Sequence, residues 1–196
     1  MRIAVIDVGT NTTRLYIAEV ESGAVRAQLA RESHVTRLGA GVDSSGRLAA
    51  DALARTHGVL AGYRSRIEAA GVDRAVAVMT SAVRDAANGQ ELADAVNARY
   101  GIDARILTGE QEARLTYLGA VSETPPRARG EGARTGPTLV VDIGGGSTEM
   151  VIGHGATLVF HVSTQAGVVR QADRHLSTDP PSEPELDAVA ADVRAV

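Results

Sequence analysis

The sequence predicts an α/β protein of two related lobes, each a mixed sheet with flanking helices. Three observations predict it. A glycine turn between apolar runs occurs twice, in VIDVGTNTTRLYI (Val5 to Ile17) and in VVDIGGGSTEMVI (Val140 to Ile152). The first copy opens a βββαβαβα order, and the second opens another βββ pattern. Placing Asp7 on Asp142 pairs Gly9 with Gly144, Thr12 with Ser147 and Thr13 with Thr148. A repeat so widely spaced is too distant for a solenoid unit and implies two lobes presenting one kind of turn.

The elements follow from local pattern. Arg2 to Val8 and Arg14 to Val20 are rich in Ile and Val, and Glu21-Ser22-Gly23 turns the chain into a third strand at Val25. Ala49 to Ala70 spaces Leu53, Leu60 and Ile67 at seven-residue intervals, an amphipathic helix ended by Gly71. Arg74 to Met79 is a short strand, Ala82 to Tyr100 a helix stopped by Gly101, and Ile102 to Leu107 a strand before the helix of EQEARLTYLGAV. Parallel crossovers of this kind need covering helices. Ser122 to Pro137 holds three of the six prolines and reads as a flexible connector. Its arginines are either solvated loop charge or a patch for an anion. Lobe two then copies the meander in Leu139 to Asp142, Glu149 to Ile152 and Thr157 to Val162. Ser182 as N-cap, with Glu185 three later, opens a final helix carrying Leu186, Val189 and Val193 on one face. That stripe reaches the last residue without a C-cap, so the second lobe is expected to be incomplete. The expected division is a first lobe over 1–121, the connector over 122–137 and a partial second lobe over 138–196.

Composition narrows the function. With 44% hydrophobic and 22% charged residues the chain is an ordinary globular protein able to bury a core. Aromatics are only 3%, so stacking platforms for bases are scarce. Cysteine is absent, which removes disulfides, thiolate metal sites and a cysteine nucleophile together. No apolar run approaches the roughly 20 residues that span a bilayer and no signal-peptide core follows Met1, so the expectation is a cytoplasmic protein with no membrane role. A net charge of −4 argues against nucleic acid as a partner. All 20 basic residues are arginine, which excludes a Walker phosphate loop for want of its lysine. The five histidines lack metal-site spacing, and no nucleophile elbow is present.

A tight turn after a strand exposes consecutive backbone N–H groups, and glycine permits positive φ and removes the Cβ that would hold a phosphate away. Gly9, Gly144, Gly145 and Gly146 supply those turns, with Thr10, Asn11, Thr12, Thr13, Ser147 and Thr148 adding short hydroxyl or amide groups for the same oxygens. A carboxylate beside phosphate is repulsive unless a divalent cation lies between them. Asp7, Asp142 and Glu149 are therefore expected to be direct or water-mediated Mg2+ ligands. A single Asp-X-Gly is more readily a plain hairpin turn; the two matching copies carry the argument.

At these residues the sequence resembles the actin-like (ribonuclease H-like) superfamily, in which two related lobes face each other across a cleft. DVGTNTTRL at 7–15, TSAVRDAAN at 80–88, TGEQEARLTYLGA at 108–120 and DIGGGSTE at 142–149 are together similar to the exopolyphosphatase and guanosine pentaphosphate phosphohydrolase family. That resemblance implies a catalytic Glu112, Arg84 facing the phosphate cleft, and Arg14 following the first turn. It also implies inorganic polyphosphate or pppGpp as substrate, and a homodimer. Read without it, Glu112 is equally a first-turn acid at a helix start capped by Thr108 and Gln111, and Arg84 a surface ion-pair residue. Where the family has Gly-Ala/Ser-Val-Arg-Leu-Thr-Glu, this chain has Gly167 to Asp173, keeping Gly167 and Arg170 but placing Ala172 and Asp173 at the last two positions. The leading expectation is an exopolyphosphatase using direct water attack. The alternatives are a pppGpp hydrolase and a weakly active nucleotide or polyphosphate sensor.

Overall fold

The computed structural model describes residues 1–123 and 136–196. Most of the expected connector lies outside the described residues. Strands β1 (Arg2–Val8), β2 (Thr12–Glu21) and β3 (Ala24–Val35) form an antiparallel meander, and β4 (Arg74–Met79) and β5 (Asp103–Ile106) extend it in parallel. The resulting sheet has the order β3-β2-β1-β4-β5. A second sheet holds β6 (Thr138–Ile143), β7 (Thr148–His154) and β8 (Thr157–Thr164), all antiparallel. Its meander matches the first: Asp7 pairs with Arg14 across β1 and β2, and Asp142 pairs with Glu149 across β6 and β7.

Alternation in β1 buries Ala4, Ile6 and Val8 on one face, where they meet Leu15 and Ile17 of β2. Helix α2 (Ala50–Ala69), which follows the short α1 (Val42–Ser45), covers this face with Leu60, Tyr63 and Ile67. The seven-residue spacing thus located the buried stripe, with Leu53 at its margin.

The expected helix from Ala82 to Tyr100 is instead two, α3 (Ser81–Asp85) and α4 (Gly89–Tyr100). Ala86 is extended, and the Asn88 side chain accepts from Leu48 N at 2.8 Å and donates to Leu48 O at 3.1 Å. Asparagine competes well for such backbone partners, and here a tertiary bond overrides helical continuity. The chain continues through β5 into α5 (Gly109–Glu123). Although the sequence order assigns α5 to the first lobe, its buried Ala113 and Tyr117 pack with Val151 of β7, and Tyr117 Oη donates to Gly155 O. After β8 the chain forms α6 (Val168–His175), which periodicity did not mark, and α7 (Glu183–Arg194), whose Ser182/Glu185 capping box forms as expected.

Candidate active site

Both glycine turns close in one way. Gly9 N donates to Thr12 O at 3.0 Å and Gly144 N to Ser147 O at 2.9 Å. A Cβ on either glycine would stand 3.0 Å from the same carbonyl, a tight approach that favours glycine at both places. Positive φ, by contrast, is not used by any of Gly9, Gly144, Gly145 and Gly146. The close approach that the second turn requires is also partly protein against protein. A Cβ on Gly146 would meet Ser81 Oγ at 2.4 Å and Thr10 Oγ1 at 2.9 Å.

The carbonyls of both turns are tied down behind them. Thr10 O accepts from Gly39 N, and Asn11 O from Thr36 N and Arg37 N. Gly144 O accepts from Val168 N, Gly145 O from Val169 N and Arg170 N, and Gly146 O from Arg170 Nε. A planar trans peptide points its N–H opposite to its C=O. The N–H groups of Asn11 and Thr12 on one turn, and of Gly145 and Ser147 on the other, are therefore displayed away from those anchors, and all four residues line one cleft of about 260 Å³. Paired backbone donors of this type make a concavity for an anion.

That cleft is lined by Asp7, Gly9, Thr10, Asn11, Thr12 and Arg14 from the first turn and by Asp142, Gly144, Gly145, Ser147 and Glu149 from the second, with Glu112 of α5 between them. Four of the expected residues lie off it. Thr13 is fully buried and its hydroxyl pairs with that of Thr36, whereas Thr148 Oγ1 donates to Ala166 O. Gly146 packs against Thr10 and Ser81. Arg84, expected to face the cleft, is engaged instead with Leu107 O and Glu112 Oε2 through Nη1. Thr80 and Ser81 line the cleft and were not singled out from sequence. Their signal lay in TSAVRDAAN, but only the strand-to-helix turn after β4 reveals that they meet the first glycine turn, where Thr10 Oγ1 and Ser81 Oγ are 2.9 Å apart.

Glu112 sits in the first turn of α5, yet the helix start does not depend on it. Thr108 and Gln111 form both bonds of the capping box, Gln111 N to Thr108 Oγ1 and Thr108 N to Gln111 Oε1. The Glu112 side chain is 14% exposed and accepts from Arg84 at 2.7 Å. Burial pushes its carboxyl above the ordinary glutamate value; the Arg84 hydrogen bond opposes this, and the charges of Glu149 and Asp7 add to it. Asp7 is likewise raised by burial, against the pull of Arg14 at 3.1 Å and with the push of Asp142.

Four carboxylates thus line one cleft, but only Asp7 and Glu112 have basic partners among the described ion pairs. Glu149 is 2% exposed and receives a hydrogen bond from Ser163 Oγ alone among the described side chains. A buried carboxylate without a cation is costly, and a divalent ion suits the charge balance here. Among the described residues no three acidic or imidazole side chains are gathered into a cation cage. The donor set therefore fits the Mg2+ mode in which one or two carboxylates act together with substrate oxygens and water.

A model of the Ppx/GppA phosphatase family matches residues 16–196. The chain belongs to this family. Exopolyphosphatase 2 of Mycobacterium tuberculosis is 40% identical over 201 residues, spanning 98% of this chain and 60% of that protein. The crystal structure of an exopolyphosphatase-like protein superposes with a TM-score of 0.89 at 35% identity, over 100% of this chain and 60% of the other. An exopolyphosphatase from Cytophaga hutchinsonii gives 0.82 at 32% identity, over 93% of this chain and 56% of the other. The Ppx/GppA family member of Aquifex aeolicus gives 0.73 at 34% identity, over 96% of this chain and 58% of the other. The chain thus spans about 60% of the length of the curated exopolyphosphatase it matches. Among the described residues no helix is long and apolar enough to cross a membrane.

Proposed function

We propose that the protein containing this chain hydrolyses terminal phosphoanhydride bonds of inorganic polyphosphate, with the cleft between the two glycine turns as the phosphate seat. The observation that carries this reading is the opposed pair of anchored turns, with Glu112 between them on the wall of the same cleft. In this reading the two sheets are the cores of two lobes, and the terminal phosphate is gripped by N–H groups of Asn11, Thr12, Gly145 and Ser147. Arg14 supplies positive charge at the rim. Phosphoryl transfer asks little covalent chemistry of the protein, so positioning and charge neutralisation dominate.

Glu112 orients the attacking water and accepts its proton. A raised carboxyl is a better base than an ordinary one, and Arg84 keeps it ionised and fixed in place. Mg2+ held by Asp142 with Glu149 or Asp7 would neutralise charge on the phosphate oxygens. Polyphosphate is favoured over pppGpp because, among the described residues, no aromatic side chain lines the cleft to stack a guanine.

The deciding experiment is phosphate release from polyphosphate by the whole protein and its Glu112→Gln variant. Loss of a general base costs about 10²- to 10⁴-fold in kcat. A variant within a few-fold of the parent would sink the assignment. Comparing kcat/KM for polyphosphate and pppGpp settles the substrate.

A further inference from the structure

Arg170 of α6 is shared among three partners. Its Nε donates to Gly146 O at 2.8 Å, its Nη2 to Asp85 Oδ2 at 2.6 Å and its Nη1 to Asp43 Oδ1, and its side chain is only 11% exposed. One planar guanidinium thus joins the second glycine turn to two carboxylates of the first lobe, a three-way fork that an ammonium cannot reproduce.

The two carboxylates differ in what else they have. Asp43 is also held by Arg174, through Nε at 2.5 Å and Nη2 at 2.8 Å, so it keeps a cation if Arg170 is lost. Asp85 has just one other basic neighbour among the described ion pairs, Arg84, at 3.9 Å. Arg84 in turn is the partner of Glu112 at 2.7 Å. Arg84 therefore stands between two carboxylates and is committed to Glu112 because Asp85 is already satisfied. The order of contacts is Gly146, Arg170, Asp85, Arg84, Glu112.

We propose that Arg170 is a positioning residue for the hydrolysis: by neutralising Asp85 it keeps Arg84 on Glu112, and by holding Gly146 O it fixes the phosphate seat relative to that pair. The inference rests on the polyphosphatase reading for its kinetic form, while its structural form is independent. Without Arg170, Asp85 competes for Arg84, Glu112 loses its orienting bond, and the carbonyl of Gly146 is released from its side-chain anchor. The first effect falls on the chemical step and the second on phosphate binding.

The test is a set of variants of the whole protein, Arg170→Ala, Asp85→Asn and the double variant, assayed for phosphate release from polyphosphate. Arg170→Ala is expected to lower kcat roughly tenfold and to raise KM, with Asp85→Asn alone within about threefold of the parent in kcat. The double variant is expected to recover kcat but not KM, because removing the Asp85 charge ends the competition while Gly146 O stays unanchored. A merely structural Arg170 predicts that deleting its second partner restores nothing, and an unrecovered kcat overturns the proposal. Arg170→Lys, which keeps the charge, guards against simple misfolding and is expected to retain more kcat than Arg170→Ala. Crystal structures of parent and Arg170→Ala add a readout free of any substrate. Movement of Arg84 from Glu112 to Asp85 supports the proposal, and an unmoved Arg84 overturns it. If the parent releases no phosphate, the functional reading fails and these structures alone decide.

Discussion

Arg84 Nη1 lies 2.7 Å from Glu112 Oε2, and of the two residues only Glu112 lines the cleft. In the proposed hydrolysis Arg84 would therefore act on the carboxylate and not on the phosphate. Because the bond lowers a carboxyl that burial raises, replacing Arg84 by alanine drives Glu112 further up. A base must be ionised, so activity is lost as pH falls through its pKa. The acidic limb of the kcat/KM profile is expected above the ordinary glutamate value of about 4.3 in the parent. In Arg84→Ala it is expected to move higher, because the hydrogen bond and the positive charge that favour the ionised form are both removed. An unmoved limb, measured from pH 4 to 9, would remove Arg84 from this role.

The glycines yield a stability prediction with an internal control. A Cβ on Gly167 would stand 2.3 Å from the Gly146 carbonyl carbon and 2.4 Å from Gly145 O, both backbone atoms that can yield only by moving the second turn. Gly167→Ala is expected to destabilise the protein by about 1–3 kcal/mol, as overpacking does, and to weaken phosphate binding. Gly62 sits on the exposed side of α2 with nothing within 4 Å of an added Cβ. Gly62→Ala is expected to stabilise by about 0.5–1 kcal/mol. Opposite shifts in Tm for the two substitutions are the expected result.

The repeated turn was readable because it is a local pattern, with its strands, its glycines and its aspartates all within thirteen residues. Its use was only partly readable. Sequence alone cannot tell that Gly146 faces Ser81 and Thr10 and not a ligand, since that contact joins elements far apart in the chain. Thr13 and Thr148 illustrate the same limit: both alternate into β-strands whose pairing turns their hydroxyls to Thr36 and Ala166. The break between α3 and α4 was hidden because Ala86 and Ala87 favour helix, and only the distant Leu48 backbone explains Asn88.

Metal dependence should separate the carboxylates. Asp142 and Glu149 line the cleft and have no basic partner among the described ion pairs, whereas Asp7 pairs with Arg14. Chelation is expected to abolish phosphate release and Mg2+ to restore it. In Asp142→Asn the Mg2+ concentration giving half-maximal rate is expected to rise by about tenfold or more, since Mg2+ sites of this kind rely on one or two carboxylates. Equal Mg2+ dependence in parent and variant would show that the cation, if any, is held elsewhere.

The contact between α1 and α6 gives a pH-dependent stability of definite sign. Arg174, and after it Arg170, hold the Asp43 carboxyl below its usual range against the opposing effect of burial. A depressed carboxyl contributes stability that is present above the unfolded value of about 3.9 and is lost as pH falls through the folded value. Glu112 and Asp7 act in the opposite sense. Their raised values mean that the stability they contribute when protonated is lost as pH rises through those values. At neutral pH the Asp43 pairs are intact, and Asp43→Asn is expected to cost about 1.5–3 kcal/mol, the range for hydrogen bonds to charged groups. The difference in unfolding free energy between parent and Asp43→Asn should therefore shrink steadily from pH 5 towards pH 2.5. A difference that stayed constant across that interval would mean that the aspartate contributes through packing and not through charge.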